Sequence, residues 1–216
     1  MKKIIAFLLL LQTASLISCT TDAEDEWDAA KVCPESKRGT FVDDRDGQVY
    51  KYTTIGNQVW MAQNLNYESI GSICNYEDDN CLTMGRTYGF DYTLCPTGWH
   101  VPSKDEWSQL FDAVGGEEQA RNRLRTTYGW NPLNPEDEAN GTDDCGFGVA
   151  FANYGYDDHY FDTAFLTSTR GVNNGDTVCS DIYFCSYDRH YIHHSTICGS
   201  PEDYRSSKRY LRCVKD

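Results

Sequence analysis

The stretch Cys95–Trp107, CPTGWHVPSKDEW, carries the strongest structural signals in the chain. Its two prolines, Pro96 and Pro102, fix φ on both sides of Gly98-Trp99-His100. The chain therefore enters the next segment at a defined angle, and Trp99 can be buried. We interpret this stretch as the entrance to a helix.

The helix is predicted to begin at a capping box, Ser103-Lys104-Asp105-Glu106. The serine hydroxyl can accept a hydrogen bond from the glutamate amide, and the glutamate carboxylate can reach back. Gly115-Gly116 ends the apolar run. A second helix is predicted over Glu117–Thr127, with its arginines outward. The residues expected to face the core are Trp107, Leu110, Phe111, Val114, Ala120 and Leu124.

Short strands are predicted around these helices. Gln48–Ile55 and Gln58–Leu65 are rich in β-branched and aromatic residues, and Gly56-Asn57 between them is a two-residue hairpin signal. Asn131–Asp144 is acidic and turn-forming, and is predicted to be a loop. Further strands are expected around Phe41, Gly148–Ala152, Phe165–Thr169, Ile182–Tyr187, Tyr191–Ser195 and Tyr210–Val214.

Composition limits the class of protein. The chain has 216 residues, 40% hydrophobic and 24% charged, with a mean hydropathy of −0.60, which is typical of a globular domain. Its net charge of −14 argues against nucleic acid as a partner, because phosphate binding needs basic surfaces. Ten cysteines without paired zinc spacing indicate an oxidising compartment.

The N-terminus is predicted to be a lipoprotein signal. Met1-Lys2-Lys3 is basic, and the apolar run Ile4–Leu11 is too short to cross a membrane as a helix. Leu16-Ile17-Ser18-Cys19 resembles a bacterial lipobox, so we expect residues 1–18 to be removed and Cys19 to be lipidated. The alternative is an ordinary secretory signal. Residues 19–38 are expected to form an acidic tether and 39–216 the domain, held in the outer membrane of the cell envelope and exposed at the surface.

Three stretches carry a family resemblance in their order and spacing. They are Gly56–Tyr67 (GNQVWMAQNLNY), Cys95–Trp107 and Arg212–Asp216 (RCVKD). Together they resemble the Fibrobacter succinogenes major paralogous domain, found in exported proteins of Fibrobacter and related bacteria. The resemblance covers about Gly39 to Asp216. Phe165-Leu166 stands where the family usually has tryptophans.

The resemblance implies a fold but no established activity. The expected fold is a compact α+β domain similar to the C-type-lectin-like and formylglycine-generating-enzyme folds. It has short antiparallel strands, one or two helices and disulfide staples, and its termini pair in one sheet.

Disulfide pairing is expected at two places. The resemblance implies a bridge between Cys95 and Cys213, and Cys74 and Cys81 flank an acidic loop that they can close locally. With Cys19 lipidated, nine thiols remain, so one must stay free or bridge outward. Cys33, in the expected tether, is the first candidate. The pairing of Cys145, Cys179, Cys185 and Cys198 stays open.

A tyrosine-rich stretch is the candidate ligand site. Tyrosine rings offer flat faces to sugar rings, and acidic and histidine side chains can bond sugar oxygens. The candidate residues are Tyr154, Tyr156, Asp157, Asp158, His159 and Tyr160. A structural alternative exists for the series Tyr183, Tyr187 and Tyr191. These residues are an even number of positions apart, so on a strand they would point to the same face and could form one packed surface.

Metal and catalytic readings are weaker. Asp43–Gly47 lacks the alternating ligands of a calcium loop and is interpreted as a solvated turn. The histidines at 190, 193 and 194 are interpreted as surface residues rather than zinc ligands. No catalytic residue, metal or cofactor is expected.

The leading hypothesis is a non-enzymatic, lipid-anchored surface protein that binds a polysaccharide or a surface protein. It contacts the membrane through its lipid anchor. One alternative is an enzyme related to the formylglycine-generating or sulfatase-modifying group, by fold analogy alone. Another is a structural subunit of an envelope assembly.

Overall fold

The computed structural model describes residues 27–74, 81–130, 140–152, 163–173, 176–184, 194–197 and 209–216. Within these ranges the helices are α1 (Ala29–Val32), α2 (Lys104–Ala113) and α3 (Glu117–Arg123), with one 3-10 turn at Glu35–Lys37. The strands are β1 (Gly39–Val42), β2 (Val49–Ile55), β3 (Gln58–Met61), β4 (Ile73–Cys74), β5 (Arg86–Thr87), β6 (Trp99–His100), β7 (Thr163–Asn173), β8 (Asp176–Phe184), β9 (His194–Ile197) and β10 (Val214–Lys215). The architecture is a mixed α+β domain with antiparallel sheets.

The largest sheet has five strands in the order β1-β2-β3-β10-β6, and each neighbouring pair is antiparallel. The predicted hairpin is confirmed: β2 and β3 pair across Gly56-Asn57, and Gly56 has a φ of 56° that suits glycine. The C-terminal strand β10 lies between β3 and β6, so both ends of the domain share one sheet. Phe41 of β1 stacks on Trp99 of β6 with ring centroids 4.3 Å apart, so the sheet curves enough for side chains of its two edge strands to meet.

Hydrophobic residues pack on both faces of this sheet. Trp60 and Met61 are consecutive in β3, so their side chains point to opposite faces, and both are fully buried. On the Trp60 side lies α2, whose Trp107 ring is 4.7 Å from that of Trp60 and 5.3 Å from that of Phe165. On the Met61 side lie Tyr50, Leu65, Tyr88, Leu94 and Leu211.

The capping box predicted for α2 is present. Glu106 N donates to Ser103 Oγ at 3.2 Å, and Ser103 N donates to Glu106 Oε2 at 2.7 Å. All six residues expected to face the core from the two helices are buried.

The second helix is shorter than predicted. It ends at Arg123 because the next residues leave the helix to bond Val149: Thr126 N donates to Val149 O at 2.9 Å. The backbone of Arg125 forms an isolated β-bridge with Val149, and the residue is only 1% exposed. The expectation that the arginines face outward is therefore wrong for Arg125. Its guanidinium stacks on the Trp130 ring at 4.0 Å, which gives the buried cation a favourable aromatic contact.

A second sheet, β7-β8-β9, is antiparallel throughout. The strand expected around Phe165–Thr169 is longer than predicted and continues to Asn173, with an irregularity between Leu166 and Arg170. Phe165 and Leu166 of this strand are both buried. The strand expected at Gly148–Ala152 is reduced to the single bridge at Val149.

Residues 27–38 pack against the domain instead of forming part of a tether. The indole nitrogen of Trp27 donates to Ala113 O at 3.1 Å, and Arg123 stacks on the Trp27 ring at 3.8 Å. Cys33 is 1% exposed and forms a disulfide with Cys145. The expectation that Cys33 stays free is therefore wrong, because α1 carries it into the core.

The other two disulfides join the pairs expected from the sequence. Cys95 and Cys213 are bridged with Cα atoms 5.9 Å apart, and Cys74 and Cys81 with Cα atoms 5.2 Å apart. The first ties the entrance of α2 to the last strand, and the second closes a local loop beside β4. Among the residues that the structure describes, no helix has the length and apolar character needed to cross a membrane.

Candidate functional site

Several residues that are distant in the sequence lie close together at one end of the β7-β8 pair. Thr163 lies opposite Phe184 in the register, and Thr163 Oγ1 donates to Ala150 O at 2.6 Å. Residues 150–152, 163 and 184 are therefore neighbours. The segments 153–162 and 185–193 attach to the domain side by side.

Two more segments attach at the same place. Tyr210 N donates to Ala164 O at 2.9 Å, which brings the end of segment 198–208 beside β7. The ring of Trp130 lies edge-on to that of Phe151 at 5.7 Å, which brings the start of segment 131–139 beside residue 152. We call the set Trp130, Phe151, Thr163, Phe184 and Tyr210 the attachment edge.

A buried polar network supports this edge from within. Arg209 donates from Nε to Asp181 Oδ2 at 3.2 Å and from Nη2 to the Tyr183 hydroxyl at 2.8 Å. The Tyr183 hydroxyl in turn donates to Asp181 at 3.3 Å. Burial raises the pKa of Tyr183, so its hydroxyl stays protonated as a donor. The network holds Arg209 against β8, which gives the attachment edge a rigid base.

Beside Trp130 a turn presents three exposed residues, Thr127, Tyr128 and Gly129, between buried Thr126 and Trp130. The turn is held by hydrogen bonds on both sides. Thr126 Oγ1 donates to Tyr128 O at 2.7 Å, and Trp130 N donates to Asn140 Oδ1 at 3.1 Å. Sequence analysis missed this turn as a surface feature, because the second helix was predicted to continue to Thr127.

A second polar cluster centres on His100 of β6, just before α2. Its Nδ1 lies 2.6 Å from Asp216 Oδ1, and its Nε2 lies 2.7 Å from Glu106 Oε1. Burial acts to lower the pKa of His100, but the bonds to the two carboxylates outweigh it and raise the pKa above its ordinary value. The His100 ring thus links Asp216 to Glu106 of the capping box, and each of its two ring nitrogens is engaged in one of these hydrogen bonds.

The buried Arg212 side chain hydrogen-bonds to residues that lie far from it in the sequence. Its Nε donates to Asn64 Oδ1 at 2.8 Å, its Nη2 donates to Gly148 O at 2.8 Å, and its Nη1 donates to Phe147 O. Complete burial lowers the pKa of Arg212 to about 9. Asn64 and Arg212, which come from two of the quoted stretches, therefore meet at one guanidinium together with the carbonyl groups of Phe147 and Gly148, and their role is structural.

The turn Asp43–Gly47, interpreted as solvated, is only partly so. Asp43 is fully buried, and the Arg45 guanidinium contacts its carboxylate at 2.6 Å. Burial acts to raise the pKa of Asp43, but the hydrogen bonds from Arg45 outweigh it and lower the pKa. Arg45 Nη1 also donates to Leu94 O at 2.7 Å, so the acidic turn is used to brace the β1-β2 connection.

The predicted ligand residues fall outside the described residues, as does the lipidation residue Cys19. Tyr183, the described member of the alternative tyrosine series, is buried at 7% exposure. In the described ranges, no group of three or more histidine, cysteine, aspartate or glutamate side chains could hold a metal ion. The ligand residues outside the described ranges are Tyr154, Tyr156, Asp157, Asp158, His159 and Tyr160.

Comparison with known proteins gives one match. The model of a family described as the Fibrobacter succinogenes major domain matches residues 53–215. This range contains β3, both longer helices, the attachment edge and the C-terminal strand. No curated protein and no solved structure matches the chain.

Proposed function

Because the chain belongs to the Fibrobacter succinogenes major domain family, we propose that it is an exported, lipid-anchored protein of the outer membrane whose domain binds a glycan at the cell surface without catalysing a reaction. The family match carries no activity of its own. Support for the proposal comes from the disulfides, the signal segment and the attachment edge.

Export is supported by the cysteines. Three disulfides form among the described residues, and such bridges persist in oxidising compartments. The lipobox at Leu16–Cys19 supports an anchor at the membrane, since acyl chains on a cysteine bind a bilayer durably. Together these features support a domain that works outside the cytoplasm.

The attachment edge is the observation that carries the binding proposal. Of the fifteen tyrosines, six belong to the segments that begin or end there: Tyr154, Tyr156, Tyr160, Tyr187, Tyr191 and Tyr204. Tyrosine supplies a large, rigid contact surface at low entropic cost, which is why binding loops are rich in it. Tyr154, Tyr156 and Tyr160, with Asp157, Asp158 and His159, are the proposed sugar contacts.

We also propose that the fold is of the C-type-lectin-like and formylglycine-generating-enzyme kind. The central position of β10 between β3 and β6 supports this, because the first and last strands of the domain then lie in one sheet.

The test is a pull-down of the soluble domain, residues 20–216, on cellulose, xylan and whole-cell glycans. Replacing Tyr156 and Tyr160 by alanine should weaken retention roughly 5-fold or more, if each ring contributes about 0.5 kcal/mol or more by stacking. The melting temperature should stay unchanged. Leu82→Ala is the matched control, since Leu82 is 78% exposed and lies near Cys81.

Two results would contradict the proposal. Failure of the wild-type domain to bind any of these glycans would remove glycan binding. A lowered melting temperature in the double variant would assign the two tyrosines to the core.

A further inference from the structure

We propose that the side of the domain around Trp27 faces the lipid bilayer and that the start of β2, at Val49, lies farther from it. This inference rests on the lipid anchor of the proposed function and adds the surface that is turned to the lipid. Three observations carry it. Residues 27–38 are docked on the domain, a disulfide fixes them there, and only residues 20–26 lie between Trp27 and Cys19.

The docked segment contacts the domain at one place. The indole nitrogen of Trp27 donates to Ala113 O at 3.1 Å, and the Trp27 ring packs against the Arg123 guanidinium at 3.8 Å. Gly56 N, in the turn between β2 and β3, donates to Val32 O at 2.9 Å. The helix α1, this turn and the connection between α2 and α3 therefore form one surface, which we call the anchor face. Its exposed residues are Ala30, Lys31, Gly56, Asn57, Gly115 and Glu117.

A disulfide prevents the docked segment from lengthening the tether. Cys33 is bridged to Cys145 with Cα atoms 5.3 Å apart, and at 1% exposure it is shielded from thiols in the solvent. Beyond Cys33 the chain is also held by hydrogen bonds, since Thr54 Oγ1 donates to Lys37 O at 3.1 Å and Arg38 Nη2 donates to Asp144 O at 2.8 Å. Residues 33–38 therefore stay on the domain and add nothing to its distance from the anchor.

The reach of the remaining chain is shorter than the domain is wide. From position 19 to position 27 the chain takes eight Cα–Cα steps, which span at most about 29 Å in any conformation. A domain of about 190 residues has a radius of gyration of about 16 Å, hence a diameter of about 40 Å. If the surface opposite the anchor face rested on the bilayer, Trp27 would be beyond the reach of a lipidated Cys19. The anchor face is therefore the side turned toward the bilayer.

The anchor face is suited to lie at the lipid headgroups without entering the bilayer. Among the described residues, the exposed large hydrophobic side chains all lie outside it, so the acyl chains on Cys19 provide the attachment. These side chains are Val42, Val49, Ile70, Leu82, Tyr128 and Val172. From Gly56 in the anchor face, β2 leads back to Val49, about 23 Å away at about 3.3 Å per residue. Val49, which is 60% exposed, therefore marks a point remote from the anchor face.

The experiment measures energy transfer from the lipidated full chain to vesicles of phosphatidylethanolamine and phosphatidylglycerol that carry an acceptor-labelled lipid. A donor dye is attached through an azide-bearing amino acid at position 30 or at position 49, both exposed, so that the native cysteines are not used. The donor at position 30 should lose a larger share of its emission than the donor at position 49. A second pair of proteins carries about twelve glycine and serine residues inserted after position 26, which extends the reach to about 70 Å and should remove the difference.

The outcomes separate this inference from the proposed function. Equal losses at the two positions in the anchored protein, or a larger loss at position 49, overturn the orientation while the lipid anchor stands. A difference that survives the insertion overturns the argument from reach. If the full chain is not recovered with the vesicles, or if Cys19→Ser is recovered equally well, the lipid anchor fails and this inference fails with it. Melting temperatures equal to that of the unlabelled protein are required for support.

Discussion

The long disulfide between Cys95 and Cys213 should stabilise the domain about twice as much as the short one between Cys74 and Cys81. The bridges span 118 and 7 residues of sequence. In the chain-entropy account, closing loops of these lengths stabilises the folded state by about 5 and about 2.5 kcal/mol. Domains of this size have a total stability of about 5–15 kcal/mol, so loss of the long bridge should bring the domain near unfolding.

The perturbation is a double replacement by alanine in each case, so that no thiol is left to mispair. Urea unfolding followed by tryptophan fluorescence gives the free energy of unfolding, and buried Trp60 and Trp107 supply the signal. The same proteins measured with all bridges reduced provide the control, because the difference due to loop closure should then disappear. Equal losses for the two pairs in the oxidised state, or an unchanged difference after reduction, would refute the entropic reasoning.

Two further predictions concern the anchor and the His100 cluster. Cys19→Ser should abolish fatty-acid labelling and leave an uncleaved or soluble protein, and persistent labelling would show that Cys19 is not the anchor. The pKa of His100 is raised in the folded state, so the stability it contributes is complete below the ordinary value of 6.5 and is lost as pH rises through the raised pKa. The stability advantage of wild type over His100→Gln should therefore shrink as pH rises above about 6.5. Unfolding curves from pH 5.5 to pH 9 test this, and a constant or growing advantage would contradict the role of the ion pairs.

Local sequence signals predicted the elements that depend on neighbouring residues. The capping box at Ser103 and the Gly56-Asn57 hairpin are both present because their hydrogen bonds join residues close in the chain. The family resemblance supplied one long-range feature, the pairing of Cys95 with Cys213. That pairing could not be obtained from spacing alone.

Features that depend on distant partners were missed. The acidic composition around Trp27 suggested a tether. In the structure the Trp27 ring packs against the Arg123 guanidinium, and Cys33 forms a disulfide with Cys145. Arg125 looks like a surface arginine in a helix, but its bridge to Val149 and its contact with Trp130 place it in the core. In each case a tertiary contact, invisible in a local window, outweighs the local preference.

The two long disulfides also change how the domain responds to proteolysis. Their loops run from Cys33 to Cys145 and from Cys95 to Cys213, and each loop encloses one cysteine of the other. Every peptide bond between Cys33 and Cys213 lies inside at least one of them. A single cut by a protease anywhere in that stretch, including the segments that meet the attachment edge, therefore leaves both fragments covalently joined. A domain with these two disulfides can therefore be cut once by a protease between Cys33 and Cys213 without losing either fragment.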